Sequence, residues 1–413
     1  MVNTRLFDEY RNIPREANYL IYSMIFPNLA YGMFYMDLPY LLTQVRGIST
    51  GFMGALITIM GVSMVASSIP FGILADRFSR RKILIFGNIV ASLTIAVFAL
   101  TDNQFILLAA ALLEGVSEAA FSSSASALLA DKATDQKRNS VFSFSGFTGN
   151  LAFGLGGLII PAVVVFEILG YNVQESHSIL YVIVVALSLA STILILKVTE
   201  SGEPHLGEKM TLRSIYPKKS GGVLGKYLLT SVIIAFGAGL IVPLMSVWFG
   251  YRFGISDTLS GPILGASSLL IGVATLASPL MARRLGTIKA IVVTQAASTL
   301  FMFLTPLAPE FVSASLVYSL RSLLMNMASP LQQSMIMGMV PEGERGIASG
   351  ISSAMWKLPN SLSTFIGAWM LGLGLLSAPF YIASVFYLVS IAIFWFFFRN
   401  TKMPEEMLSV ARN

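Results

Sequence analysis

The chain has 413 residues, of which 55% are apolar and only 12% are charged, and its net charge is +6. A soluble domain carries about 25% charged residues, so a soluble protein of this composition would expose large apolar patches. The lack of cysteine excludes disulfides, thiolate metal sites and thiol nucleophiles. The composition therefore predicts an all-α polytopic membrane protein, in which each span needs about 20 mostly apolar residues.

Apolar runs between charged or Gly/Pro-containing breaks predict twelve transmembrane helices. Their approximate ranges are 18–44, 50–75, 82–101, 105–130, 140–167, 178–197, 225–250, 258–282, 287–307, 311–338, 346–370 and 374–398. The first run lacks the pattern of a cleavable signal peptide and is expected to remain a span. The long polar gap at 198–224 is interpreted as a linker between two domains, 1–197 and 225–413.

The basic residues are distributed unevenly around the predicted spans. Twelve spans place both termini on one side, and all but four of the 27 Lys and Arg residues lie there. Arg46 and Arg252 lie on the opposite side, while Arg321 and Lys357 lie inside spans. Because positively charged loops face the cytoplasm, both termini are predicted to be cytoplasmic, in the plasma membrane. This orientation explains the net charge better than nucleic-acid binding does.

The two halves of the chain are related by a shift of 207 residues. At this shift Arg77 aligns with Arg284 and Arg138 with Arg345, without gaps. Chance overlap of apolar runs is the alternative, but the alignment of basic loop residues argues against it. Many transporters contain internal repeats with the substrate site near the midplane between them, so the repeat favours transport of a small solute.

The loop between the second and third spans carries a recognisable motif, Gly72-Ile-Leu-Ala-Asp-Arg-Phe-Ser-Arg-Arg-Lys82. It resembles the signature loop of the major facilitator superfamily, G-x-L-A-D-R-x-G-R-R/K, with Ser79 replacing the second glycine. The resemblance implies two pseudo-symmetric six-helix bundles and transport by alternating access. It also implies a conformational latch formed by Gly72, Asp76, Arg77, Arg80, Arg81 and Asp131.

In this latch, Asp76 is expected to accept hydrogen bonds at the N-terminus of span 11. Either Arg80 or Arg81 is expected to pair with Asp131 at the end of span 4. These contacts would join the halves in the outward-facing state and break on inward opening. The glycine-rich segment 146–157 of span 5 lacks the central proline of drug antiporters in this superfamily, so close helix packing is expected there instead.

Ionisable residues inside a span are costly and are therefore candidates for a functional site. Five are predicted, namely Asp37, Glu114, Glu118, Arg321 and Lys357. Polar neighbours on the same helical faces are candidate cavity-lining residues. These are Tyr35, Tyr40, Gln332 and Asn360. The histidines are assigned to an external loop (His177) and to the linker (His205), so no histidine-based proton relay is expected.

The shift of 207 residues aligns Glu114 with Arg321 at equivalent midplane positions. The pair either competes with substrate or only locks the two halves together. Glu114 and Glu118 lie one turn apart and are not expected both to be ionised in a site of low dielectric constant. A proton-carrying role is therefore predicted for Glu118 or Asp37.

Apolar cavity walls, 20 methionines and buried acids favour proton-coupled export of amphipathic organic compounds. The alternative is proton-coupled uptake of an organic anion or zwitterion held by Arg321 and Lys357. An uncoupled facilitator or a non-transporting receptor is a further alternative. No phosphate-binding Gly-Lys-Ser/Thr loop, paired metal ligands or histidine-based triad is present in the sequence, so an enzyme is not expected. The expected partners are a small-molecule substrate, protons and the lipid bilayer, for a monomer without cofactor, metal or nucleic acid.

Overall fold

A computed structural model describes residues 13–77, 79–132, 138–199, 220–341 and 345–401. Within these residues the chain forms helices joined by turns, and no strand occurs. The helices are α1 (Arg15–Ser23), α2 (Ile25–Tyr40), α3 (Thr50–Arg77), α4 (Arg80–Leu100), α5 (Gln104–Lys132), α6 (Arg138–Leu158), α7 (Val163–Ile168), α8 (Val173–Leu196), α9 (Gly221–Gly239), α10 (Met245–Phe253), α11 (Asp257–Leu285), α12 (Thr287–Leu304), α13 (Phe311–Met339), α14 (Arg345–Gly372) and α15 (Ala378–Phe398). Each of the twelve predicted spans coincides with one helix or with helices joined by a short break.

Among the described residues, eight helical segments are long enough and apolar enough to cross a membrane, judged by length and composition alone. They are Thr50–Ala75, Arg80–Leu100, Gln104–Lys132, Phe144–Ile168, Val173–Leu196, Gly221–Phe253, Thr287–Leu307 and Ala378–Phe398. The other four predicted spans are also helical. Three of these four contain an ionisable residue, namely Asp37, Arg321 or Lys357. Such residues lower the mean hydropathy of a helix that faces a polar interior.

Proline residues account for two short breaks within spans and for the end of a third span. The 3₁₀ turns Ile160–Ala162 and Val242–Leu244 interrupt spans, Thr305–Leu307 ends one, and each contains a proline near the first position. Because proline has no backbone N–H and its ring clashes with the preceding turn, it interrupts the α-helical ladder there. In α2, Pro39 is followed by a π-helical turn at Leu41–Val45, the kind of irregularity that often marks functional sites.

The contacts divide the chain into two compact units. The first unit comprises Met1–Ile48, Ile59–Gly207 and Ser256–Leu269, and the second comprises Ser49–Thr58, Glu208–Ile255 and Leu270–Asn413. The start of α3 thus belongs to the second unit and the start of α11 to the first. These two exchanged segments begin at Ser49 and Ser256, which are 207 residues apart, as in the sequence repeat. The predicted domains, 1–197 and 225–413, instead place Ser49–Thr58 in the first domain and Ser256–Leu269 in the second.

Glycines allow close approach of helix backbones in both units. In the first unit, a side chain at Gly32 of α2 would collide with the backbone of Phe153 in α6, and one at Gly156 would collide with the backbone of α2. In the second unit, Gly239 of α9 has the same relation to Asn360 of α14. Gly32 and Gly239 are also 207 residues apart. Small residues at these crossings let the helices pack by van der Waals contact, which is the main packing force within lipid.

Candidate functional site

A cavity of about 500 Å³ lies within the first unit and is lined by α2, α5, α6 and Met24. Its aromatic lining consists of Tyr31, Tyr35, Phe121, Phe142 and Phe153. Its polar lining consists of Asn28, Glu118, Ser122, Ser126, Ser145 and Asn150. Among these described lining residues, Glu118 is the one carboxylic acid, and there is no lysine or arginine. The cavity therefore combines aromatic surface with a single acid.

Glu118 is held at the cavity by an aromatic neighbour on α2. The hydroxyl of Tyr35 donates a hydrogen bond to Glu118 Oε2 at 3.1 Å. Tyr31 lies one turn earlier, and its ring stacks on that of Tyr35 with a centroid distance of 5.9 Å and an interplanar angle of 16°. The hydroxyl of Tyr35 thus orients the carboxyl group of Glu118, while the two stacked rings present an aromatic surface beside it.

Glu114 lies one turn before Glu118 but in a different environment. Its side chain is fully buried, and Glu114 Oε2 accepts a hydrogen bond from the hydroxyl of Thr94 in α4. Glu118 is only partly buried and lines the cavity. The two acids therefore occupy the helix-packed wall and the cavity, respectively, although they share one predicted helical stripe.

Arg321 of α13 is buried in the second unit, with 4% of its surface exposed. Its Nη2 donates a hydrogen bond to the hydroxyl of Tyr387 in α15. The guanidinium group also lies 5.5 Å from the ring centre of Tyr387 and 5.9 Å from that of Tyr318. Since Glu114 belongs to the first unit, each member of the predicted Glu114–Arg321 pair has a hydrogen-bond partner within its own unit. A contact between them stays a prediction.

The remaining candidates of the second unit lie on α13 and α14. Gln332, Lys357 and Asn360 are all partly buried. Asn360 Nδ2 donates a hydrogen bond of 3.3 Å to the backbone carbonyl of Ala235 in α9, which accounts for its polar side chain by helix packing. Tyr40, at the end of α2, is also partly buried and does not line the cavity described above.

His177 occupies a position that differs from the sequence prediction. The prediction of an external loop is wrong, because His177 lies in the first turns of α8 with only 1% of its surface exposed. The helix begins earlier than hydropathy indicates because Asn172 and Glu175 form a capping box at its N-terminus. His177 Nδ1 lies 3.5 Å from Asp37 Oδ2, and Nε2 lies 3.5 Å from Asp257 Oδ2.

The loop between α3 and α4, which carries the signature-like motif, contributes an ion pair. Arg80 Nη1 lies 2.5 Å from Asp131 Oδ2 at the end of α5. Arg81 instead donates a hydrogen bond of 3.0 Å to the backbone carbonyl of Val198. Ser79 caps α4 by accepting a hydrogen bond from the backbone N–H of Lys82, so the serine that replaces glycine in the motif has a structural role. The side chains of Asp76 and Arg77 lie outside the described residues, whereas Gly72 is a described residue of α3.

A second ion pair lies near the end of α5. Lys132 Nζ lies 2.6 Å from Glu16 Oε2 in α1. The hydrogen bond from Lys132, together with one from the hydroxyl of Thr199, lowers the pKa of the Glu16 carboxyl below its usual value. The pair connects the N-terminal helix to the end of α5 in the first unit.

The family is established by comparison with known proteins. The model of the Major Facilitator Superfamily matches residues 20–364 and 227–411. The chain therefore belongs to the Major Facilitator Superfamily. It is a multi-pass membrane transporter of small molecules rather than an enzyme.

Two curated relatives are similar to this chain in sequence. The inner membrane transport protein YajR of Escherichia coli is 30% identical over 135 residues, which cover 32% of this chain and 29% of that protein. The multidrug resistance protein 2 of Bacillus subtilis is 21% identical over 355 residues, which cover 85% of this chain and 87% of that protein. The chain thus matches less than a third of the length of YajR and most of the length of the second relative.

Solved structures agree on the fold. The structure of the nucleoside transporter NupG is similar with a TM-score of 0.75 and 12% identity, over 93% of this chain and 100% of that chain. At this identity the similarity establishes the fold alone. The predicted all-α major facilitator fold is thereby confirmed.

Proposed function

We propose that this transporter exports amphipathic organic compounds that carry a positive charge, in exchange for protons. The observation that carries the proposal is the cavity of the first unit. Its aromatic rings suit the apolar body of such a compound, and aromatic faces attract cations. Glu118 is the one carboxylic acid among the described lining residues, so it is the natural partner for the positive charge.

The exchange follows from the chemistry of one carboxyl group. An ionised Glu118 attracts an organic cation, whereas a protonated Glu118 is neutral and no longer does so. Binding of a proton and binding of the cation are therefore mutually exclusive. If the cavity is presented alternately to the two sides of the membrane, each proton that enters displaces one cation outward. The hydroxyl of Tyr35, 3.1 Å from Glu118 Oε2, orients the carboxyl group for either partner.

Further support comes from the relative named as a multidrug resistance protein, which aligns with 85% of this chain at 21% identity. The distribution of Lys and Arg supports cytoplasmic termini in the plasma membrane, the orientation in which an inward proton gradient would drive export. We include in the proposal that the monomer is the transporting unit, because the candidate cavity lies within a single unit of one chain.

Uptake of an organic anion is less well supported. The anion was expected to bind Arg321 and Lys357, but the guanidinium group of Arg321 is buried against Tyr318 and Tyr387 within the second unit. Its hydrogen bond to Tyr387 gives it a packing role that needs no substrate.

The test uses purified protein in proteoliposomes with an imposed pH gradient. Ethidium serves as the cationic probe and fluorescein as an anionic aromatic control. We expect gradient-driven transport of ethidium but not of fluorescein. The Glu118→Gln variant keeps the shape of the side chain but not its charge, and it should lose at least nine-tenths of ethidium transport.

A matched control is Glu310→Gln, which changes an exposed glutamate at the N-terminus of α13. It should transport ethidium at the wild-type rate. Undiminished gradient-driven transport by Glu118→Gln would refute the role of Glu118. Ethidium transport at a rate independent of the pH gradient would favour an uncoupled facilitator instead.

A further inference from the structure

Three buried polar residues of the first unit lie close together and are not part of the lining of the aromatic cavity. Asp37 lies in α2, His177 in the first turns of α8, and Asp257 at the start of α11. Their exposed fractions are 1%, 1% and 2%, respectively. Asp257 belongs to the segment Ser256–Leu269, which is part of the first unit, so the cluster lies within one unit.

The donor atoms of the cluster lack conventional hydrogen bonds. No hydrogen bond of normal geometry reaches either oxygen of Asp37, either ring nitrogen of His177 or Oδ2 of Asp257 among the described residues. The hydroxyl of Tyr181 and the carboxyl of Asp257 do lie close enough to Asp37 to interact with it. The two imidazole–carboxylate distances of 3.5 Å are too long for good hydrogen bonds. Buried polar atoms without partners are rare in native structures and need an explanation, such as an ion between them.

We propose that Asp37, His177 and Asp257 bind a divalent transition-metal ion such as Zn²⁺. One donor atom from each residue lies within 4.8 Å of the others. Around tetrahedral Zn²⁺, with bonds of about 2.0–2.2 Å, neighbouring ligand atoms are about 3.4 Å apart. A single ion binds only one of the two imidazole nitrogens, so one of the 3.5 Å separations already matches that spacing. Side-chain movements of about 1–1.5 Å would bring the other carboxylate to the same ion.

Charge and ligand chemistry both favour this occupant. Two ionised carboxylates and one neutral imidazole carry a charge of −2, which a divalent ion neutralises without leaving a buried net charge. Imidazole nitrogen with carboxylate oxygen is a ligand set that suits Zn²⁺, whereas Mg²⁺ prefers oxygen ligands alone. A water molecule can complete the fourth position of such a three-ligand site.

The positive charge of the neighbouring Arg46 is bound to other groups. Arg46 lies near the cluster, but its guanidinium group donates hydrogen bonds to the backbone carbonyls of Phe98 and Thr101 at 3.0 and 2.8 Å. It also lies 3.2 Å from Asp102. Arg46 is therefore committed elsewhere.

The experiment is a calorimetric titration of the purified full-length protein with Zn²⁺ after removal of any purification tag. The chain has no cysteine and only two histidines, so the background from other thiolate or imidazole ligands is limited to His205. We expect one equivalent of Zn²⁺ to bind, and Mg²⁺ to bind at least tenfold more weakly. His177→Ala and the nearly isosteric Asp257→Asn should each weaken Zn²⁺ binding at least tenfold.

His205→Ala is the matched control and should bind Zn²⁺ like the wild type. Melting curves without metal identify any variant that fails to fold, and His177→Asn then replaces His177→Ala. Three outcomes would overturn the proposal: no saturable Zn²⁺ binding by the wild type, equal binding by the His177 variants, or equal affinity for Mg²⁺. The last outcome would mean that the imidazole is not a ligand.

Discussion

Replacing Tyr387 by Phe tests whether Arg321 has a packing role. The change removes the hydroxyl that accepts a hydrogen bond from the buried guanidinium group, but it keeps an aromatic ring at 5.5 Å from that group. The cation–π attraction is therefore largely retained, and the loss is confined to one hydrogen bond of a charged donor. Such a bond contributes about 1.5–3 kcal/mol. We expect the Tyr387→Phe variant to be destabilised by this amount.

The assay is thermal unfolding in detergent, with denaturant unfolding where the transition is reversible. Tyr381→Phe on the same helix is the control, because its ring packs on Phe303 at 5.0 Å and no partner of its hydroxyl is found among the described residues. It should remain within about 0.5 kcal/mol of the wild type. Equal stability of the two variants would refute a structural role for the Arg321–Tyr387 bond. If the Tyr387→Phe variant selectively lost transport of anionic substrates, the hypothesis that Arg321 binds an anion would be supported.

Three further predictions concern packing and ion pairs. Gly156→Val should lower the melting temperature or prevent folding, because its side chain collides with the α2 backbone, whereas Gly146→Val on the same helix meets open space and should be tolerated. Glu16→Gln should cost about 1–3 kcal/mol at pH 7, because the ammonium group of Lys132, whose side chain is only 4% exposed, loses the charge of the Glu16 carboxylate. The pKa of Glu16 is lowered in the folded state, so this stabilisation is present above the pKa of the unfolded chain and is lost as the pH falls through the folded value. Melting temperatures of wild type and Glu16→Gln should therefore converge in acid. The Arg80→Asp and Asp131→Arg variants should each impair transport, and the double variant should recover part of it.

Each of these predictions has its own contradicting outcome. Equal melting temperatures for the two glycine variants would contradict backbone contact at Gly156. A difference between wild type and Glu16→Gln that grows in acid would have the wrong sign for a lowered pKa. Additive losses in the double variant of Arg80 and Asp131 would show that the two side chains are not coupled in transport.

The helices could be predicted from the sequence because their signal is long and redundant. Each span is a run of about 20 mostly apolar residues, and a few misassigned positions do not hide such a run. The basic residues and the repeat of 207 residues support the same assignment independently. Helix ends are less predictable, because they depend on single caps and prolines, such as the capping box at Asn172 and the break at Pro161.

The cluster at His177 could not be found from hydropathy. Asp37, His177 and Asp257 are separated by 140 and 80 residues, and only the fold brings them together. The signal that was present is the Asn172–Glu175 capping box, which places His177 inside a helix rather than in a loop. A helical histidine near the end of a span would then have been a candidate partner for Asp37.

The two glutamates of α5 show why periodicity predicts a face but not its surroundings. Residues four apart lie on the same side of a helix, so Glu114 and Glu118 are equivalent in the sequence pattern. A helix face can, however, pass from contact with a neighbouring helix to an open cavity within one turn. Glu114 lies beside Thr94 and Glu118 lies beside Tyr35 at the cavity. An acid that exchanges a proton for a cation must be accessible to both, so Glu118 rather than Glu114 is the residue on which we base coupling.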